Sequence, residues 1–314
     1  MVPLILGITV LTFAIINLVP GSPVAHLEQE LRGNRQIRQE DIERIKRNLG
    51  LDKPVHIRYF TWLGNVVRGD LGISMRNYNP VSKLILEKLP NTLLLTSTAF
   101  ILSFFLAIPI GVYSAVKKNS LFDQVSTSVA VAGYSVPTFW LALMLILLVA
   151  VKFKEWGLPS LPAGGAYDLR GGGGFWDRVE HLILPAFTLA FVSIAYWTRF
   201  IRSQVLEVLN QDYIRTARAK GLRENLILFR HALRNALLPL VTLLGLSLPE
   251  LFGGALIIEQ IFTYPGMGQL AFNAAINKDY PLIMGTVLFA STLVIIGNLL
   301  ADISYSLVDP RVRY

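Results

Sequence analysis

Thr92–Val116, TLLLTSTAFILSFFLAIPIGVYSAV, runs 25 residues without a charged side chain and stops at Lys117-Lys118. A helix crosses the hydrocarbon core of a bilayer in roughly 20 apolar residues. This stretch is therefore long enough to span a membrane, and it has no polar face to turn toward water. Working outward, the same pattern recurs. Val2–Val19 is uncharged and ends at Pro20-Gly21. Val125–Val151 is also uncharged. His181–Phe200 is closed by Arg199 and Arg202, Ala236–Ile258 holds one acid, Glu250, and Pro281–Leu307 has Asp302 near its end. The pattern predicts an all-α membrane protein with six transmembrane helices.

Composition agrees. Charged residues are 16% and hydrophobic residues 53% of the 314, whereas soluble domains carry about 25% charged residues. The deficit falls in blocks, which leaves too little polar chain for a soluble domain. The net charge of +8 is divided among separate loops, with no aromatic-basic stripe to hold nucleic acid. There is no cysteine, which excludes disulfides, thiolate metal sites and cysteine nucleophiles. The first apolar stretch lacks the basic leader and small-residue cleavage site of a signal peptide. Its abrupt start at Met1 leads us to expect a few basic residues missing upstream.

Lys and Arg in short loops set orientation. Lys117 and Lys118 lie between spans two and three. Arg199, Arg202, Arg215, Arg218, Lys220, Arg223, Arg230 and Arg234 lie between spans four and five, and Arg311 and Arg313 follow span six. All three regions fall on one side, so both termini are expected in the cytoplasm. Segment 21–90 is basic as well, but long loops translocate largely regardless of charge. We expect it to form a folded, helical extracytoplasmic segment between helices 1 and 2. Ile42, Ile45 and Leu49 make one helical stripe, with Gly50 as its C′ cap. Tyr59, Trp62, Leu63 and Val66 make a second, which suits packing on the membrane domain or, less simply, a ligand face. The expected division is 1–20 for the first span, 21–90 outside, and 91–314 for the core with a cytoplasmic loop over 203–235. Gly171–Gly174 lacks the strand–turn–helix setting of a phosphate loop and reads as a flexible connection.

The cytoplasmic stretch Asp212–Gly221, DYIRTARAKG, is the most informative. Asp212 has the side chain of an N-cap, and Gly221 can take the left-handed conformation that ends a helix. Between them Tyr213, Thr216, Ala217 and Ala219 alternate with the basic Arg215, Arg218 and Lys220. A helix this short is marginal alone in water. It either docks against something or forms a solvated positive-inside loop; the residues alone leave both open.

Family resemblance bears on that choice. The stretch resembles the cytoplasmic loop of binding-protein-dependent ABC importer permeases, whose general pattern is Glu-Ala-Ala, three residues, Gly, nine residues, Ile, one residue, Leu-Pro. Ala217, Gly221 and Leu233 match it, while Arg215, Thr216, His231 and Arg234 depart from it. The peptide and nickel subfamily, in its first permease subunit, fits better. Leu18–Pro23 (LVPGSP), Gly69–Ser74 (GDLGIS), Leu89–Leu93 (LPNTL) and Tyr134–Trp140 (YSVPTFW) resemble its typical wording. So do His181–Leu189 (HLILPAFTL), Asp212–Leu222 (DYIRTARAKGL), Arg230–Pro239 (RHALRNALLP), Tyr264–Gly268 (YPGMG) and Asp309-Pro310. Their shared order covers nearly the whole chain. The resemblance implies the type I ABC importer permease fold and transport of di- or oligopeptides across the cytoplasmic membrane. Nickel, glutathione and sugars are the alternative substrates. It further implies a coupling helix over Asp212–Gly221, a second homologous permease subunit in a heterodimer, two ABC ATPase subunits and an extracytoplasmic solute-binding protein.

No GxxxxGK[ST] loop is present, so ATP hydrolysis is expected in partners and this chain is not expected to be an enzyme or to hold a cofactor. An ion-coupled carrier would bury acids along its path and show inverted repeats; neither is evident. His26, His56, His181 and His231 lack metal-ligand spacing. Glu250, after Pro249, is read either as a pathway-lining group that meets a peptide ammonium or as a locally solvated acid at a Pro-broken turn. Pro109, Pro137, Pro185 and Pro249 are expected to kink or break their helices.

Overall fold

The computed structural model describes residues 2–18, 52–168, 173–237, 239–240, 247, 251 and 255–308, with side chains through 300. Its elements are helices. Among the described residues the one extended pairing is an isolated antiparallel bridge between Ile73 and Pro80. Glu250, Pro249, the stripe Ile42–Leu49 with Gly50, and Arg311 and Arg313 lie outside the described residues, as does most of span five.

Among the described residues three helices are long and apolar enough to cross a membrane: α3, Val81–Val116; α6, Phe175–Leu209; and, after the short α10, Met267–Ile276, α11, a span over Tyr280–Leu300 that continues to Val308. The first helix, α1, Val2–Leu18, is apolar and 17 residues long. All four overlap sequence-predicted spans but differ at their ends. Thus α3 begins eleven residues before Thr92, taking LPNTL into the helix with Pro90 and Pro109 inside it. The fragment read as an entry into span two is itself helical. Span three is not one straight rod. It is α4, Leu121–Ser135, and α5, Thr138–Glu155, bent by 102° where Pro137 separates them. Proline disfavours the α conformation at the preceding residue, and Val136 is extended at ψ 124. Pro137 therefore breaks its helix as expected, whereas Pro109 and Pro185 sit inside continuous ones.

The chain divides into two compact units, Met1–Leu89 with Leu270–Leu293, and Pro90–Gln269 with Val294–Tyr314. In the first unit α2, Val55–Val67, lies against α1. Tyr59 and Thr9 share a hydroxyl hydrogen bond at 3.0 Å, and the Tyr59 ring meets Phe13 edge-on at 5.4 Å. The stripe Tyr59–Trp62–Leu63–Val66 thus forms the inward side of a real helix, although nothing in that helix is fully buried. Asp279 is 2% exposed and knots this unit together. It accepts the Ser74 hydroxyl and the Met75 N–H, and it accepts the Leu282 N–H in the first turn of α11 as an N-cap does. Gly285 lets α11 approach α3 closely: a Cβ there would lie 2.4 Å from Val81.

Two apolar centres of the second unit pack around its long helices. Phe104, Trp197, Ile201 and Val205 anchor one between α3 and α6. Gly111 permits that contact, because a Cβ would sit 2.8 Å from the Thr198 carbonyl. Leu95, Ala142, Leu184, Ile258 and Phe262 form the other. Outside these centres, large apolar side chains such as Ile101, Phe105 and Val129 are more than half exposed. In water such a surface would aggregate; hydrocarbon is its natural solvent.

Candidate functional site

The loop that follows α6 builds a second surface. Here α6 ends at Leu209, Gln211 is extended at ψ 150, and α7 runs Asp212–Ala219. Gln211, not Asp212, is the N-cap, and its side chain makes no capping bond. Asp212 is the first helical residue instead. There its negative charge favours the positive end of the helix dipole, and it receives Arg215 at 3.3 Å. The other end matches expectation. Gly221 has φ +72. Its N–H donates to Arg218 O and the Leu222 N–H to Ala217 O, the paired closure of a Schellman motif.

Two residues of α7 face inward. Ile214 is wholly buried and Ala217 nearly so, packed on Ile227 and Ala232 of the helical run 224–236 (α8). The middle of α8, Ile227–Ala232, has wider π-helical turns. So the helix that is too short to stand alone finds its support within its own loop. Its outward face carries Tyr213, Arg215, Thr216, Ala219 and Lys220, all exposed. Arg218 is exposed too, yet Glu224 forks onto it at 2.9 and 3.3 Å. Asn235 ties Tyr213 down through its hydroxyl at 3.0 Å. Beside this basic face, Leu222, Leu226 and Phe229 leave apolar surface exposed, Phe229 by 67%. A mixed basic and apolar patch on a braced short helix is what a protein partner's cleft can grip.

Three further acids, none of them singled out by the sequence pattern, are held inside the structure. Asp123, at the start of α4, is buried and paired two-fold with Arg202 of α6. Asp279 is the knot already described. Glu259 lies in α9, Leu256–Ile261, with no exposure at all. Its carboxylate accepts the Thr92 hydroxyl at 2.8 Å and the Gln269 N–H at 2.9 Å. Thr92 in turn accepts the Met267 N–H at 2.7 Å, and Asn91 donates to the Pro265 carbonyl at 2.9 Å. The YPGMG segment therefore folds around one acid. A Cβ on Gly266 would fall 2.4 Å from that carboxylate, and one on Gly268 2.6 Å from Leu256 Cα. Burial, reinforced by Glu259, pushes the Tyr264 phenol up to about 12. The signal was present: Glu259 sits in the apolar run LIIEQIF, one residue past the predicted end of span five.

Comparison with known proteins adds three findings. Residues 107–314 match the family model described as binding-protein-dependent transport system inner membrane component, and residues 1–96 match its N-terminal counterpart. The oligopeptide transport system permease protein AppB of Bacillus subtilis (strain 168) is 46% identical, covering 100% of this chain and 96% of its own. The dipeptide transport system permease protein DppB of Escherichia coli (strain K12) is 40% identical over the same shares. Among solved structures, an inward-facing conformation of the MetNI methionine ABC transporter matches 73% of this chain and 97% of its own. The TM-score is 0.55 at 21% identity, which carries the fold alone.

Proposed function

Because this chain belongs to the family of binding-protein-dependent transport system inner membrane components, we propose that it forms half of the membrane pathway of an ATP-driven importer for di- or oligopeptides. The observation that carries the substrate class is full-length similarity to proteins named as oligopeptide and dipeptide permeases. The ATP chemistry belongs to partner subunits. Two ATPases serve the complex, and one docks on this chain's α7 through Tyr213, Arg215, Thr216, Ala219 and Lys220, with Leu222 and Phe229 alongside. Ala217, Gly221, Asp212 and Arg218 hold the helix in the shape that is gripped. The braced contact of Ile214 and Ala217 with α8 supports this reading: a push on α7 is delivered to α8 and α6 rather than absorbed by a loose loop.

A second permease subunit completes the pathway, and an extracytoplasmic binding protein delivers the peptide. Both termini and the α7 loop lie on the cytoplasmic side. Glu250 lines the pathway, where it meets a peptide ammonium. Uptake of labelled di- and oligopeptides against nickel in a deletion strain tests the substrate: peptide uptake restored by this chain is expected, and restoration of nickel uptake alone overturns the reading. Glu250→Gln should lower peptide uptake; unchanged transport across substrates removes Glu250 from the pathway. Co-purification of an ATPase that is lost on replacing Arg215 and Lys220 with Glu tests the docking face.

A further inference from the structure

The transport reading leaves Arg58, a half-buried cation, without a task. Arg58 of α2 holds its guanidinium carbon 5.9 Å from the Phe13 ring centroid. No carboxylate pairs with it among the described residues. Burial lowers its pKa and the nearby Tyr280 phenol opposes that shift, yet a guanidinium stays charged in proteins. Trp62 follows four residues later and so shares the face. Its indole Nε1 is buried with no hydrogen-bond partner among the described residues. A buried donor with no acceptor is rare in folded proteins and marks a missing partner.

Both side chains line one cavity of about 120 Å³. Asn17 and Tyr280 add polar groups to its wall, and Phe13, Ile16 and Met284 add apolar ones. A cationic donor and a neutral N–H donor, with no acid among the described residues of the wall, make a site for an oxyanion. The space is of the size of a phosphate group, below the roughly 300 Å³ at which small-molecule pockets begin. Its place in the fold identifies what carries the phosphate. The cavity lies where the apolar α1 ends and α11 begins, the level of lipid headgroups for helices that cross a bilayer. Along α1, Leu6 and Val10 continue the stripe of Phe13 and Asn17 that walls the cavity, and both are exposed. They offer a dry track leading away from the cavity.

We propose that Arg58 and Trp62 bind the phosphodiester of a membrane phospholipid whose acyl chains lie along the exposed face of α1. The site depends on the chain's place in a bilayer and not on the peptide substrate. It acts as a fixed lipid anchor between α1, α2 and α11.

The test is native mass spectrometry of the full chain, purified in its complex and washed with delipidating detergent, then offered phosphatidylglycerol. The wild type should retain one phosphatidylglycerol that Arg58→Gln reduces about tenfold and Trp62→Phe about threefold, the sizes expected for losing a charged and a neutral hydrogen bond. Dioleoylglycerol, which has the chains without the phosphate, should not be retained. Equal retention of dioleoylglycerol, or unchanged retention in both variants, overturns the proposal. Displacement by millimolar inorganic phosphate assigns the site to free phosphate and overturns the lipid reading. Displacement by alanyl-alanine assigns it to substrate and does the same. If Arg58→Gln does not fold, Trp62→Phe decides alone, because it keeps the ring and removes only the N–H.

Discussion

Around α7 the charged side chains stand outside and an isoleucine and an alanine stand inside; around α9 a glutamate stands inside and apolar side chains close over it. Both segments belong to the same unit, and both are short helices. In the α7 loop, Arg215–Asp212 and Arg218–Glu224 are exposed pairs, each contributing about 0–1 kcal/mol. Their removal changes what a partner meets and leaves the fold nearly as it was. At α9 the carboxylate has no water to fall back on. It is held by Thr92 and the Gln269 N–H, and each buried donor left without it costs about 1–3 kcal/mol. One loop turns its charge outward and the other is fixed from within.

The comparison breaks first at Glu259. Glu259→Ala orphans two donors and opens a cavity, so we expect a loss of about 3–5 kcal/mol, seen as a large fall in the thermal midpoint of the purified protein. A wild-type midpoint for this variant would refute the inward role of the acid. Next comes Gly266→Ala. It drives a methyl onto the carboxylate and should cost about 1–3 kcal/mol as overpacking, with Glu259→Gln in the same background giving no rescue of the steric clash. Gly221→Ala at φ +72 should cost about 1 kcal/mol from the left-handed backbone while loosening the end of α7. Arg215→Glu comes last for stability, within about 0.5 kcal/mol, but should reduce ATPase association most. Stability and ATPase binding measured on the same four variants should rank in opposite orders.

Much of this fold was legible from charge-free blocks. A run such as Thr92–Val116 has one physical solution in a bilayer, and the structure extends that helix without moving it. The bend at Val136-Pro137 was legible too, because proline restricts its neighbour regardless of context. The acids were harder. Asp123 and Asp279 sit next to helix starts, where an acid is ordinary, and their partners are 79 and 204–205 residues away. Sequence spacing carries no trace of such pairs. Asp212 shows the opposite error: the residue type suits an N-cap, yet the backbone turned one residue earlier, at Gln211. The pairing of Arg218 with Glu224 spans the Schellman turn at Gly221, which residue types alone do not reveal.

The 102° bend at Pro137 constrains how this chain sits in its lipid. Arms set nearly at a right angle cannot both follow the membrane normal. The α4 arm runs alongside α6: Asp123 pairs with Arg202 near one end, and a Cβ on Gly133 would meet Phe191 near the other. Because α6 is long and apolar enough to cross the bilayer, α4 follows it across, and α5 is the arm that turns aside. Pro137 is then an elbow set within the hydrocarbon, where the chain changes course with no water to satisfy the broken turn.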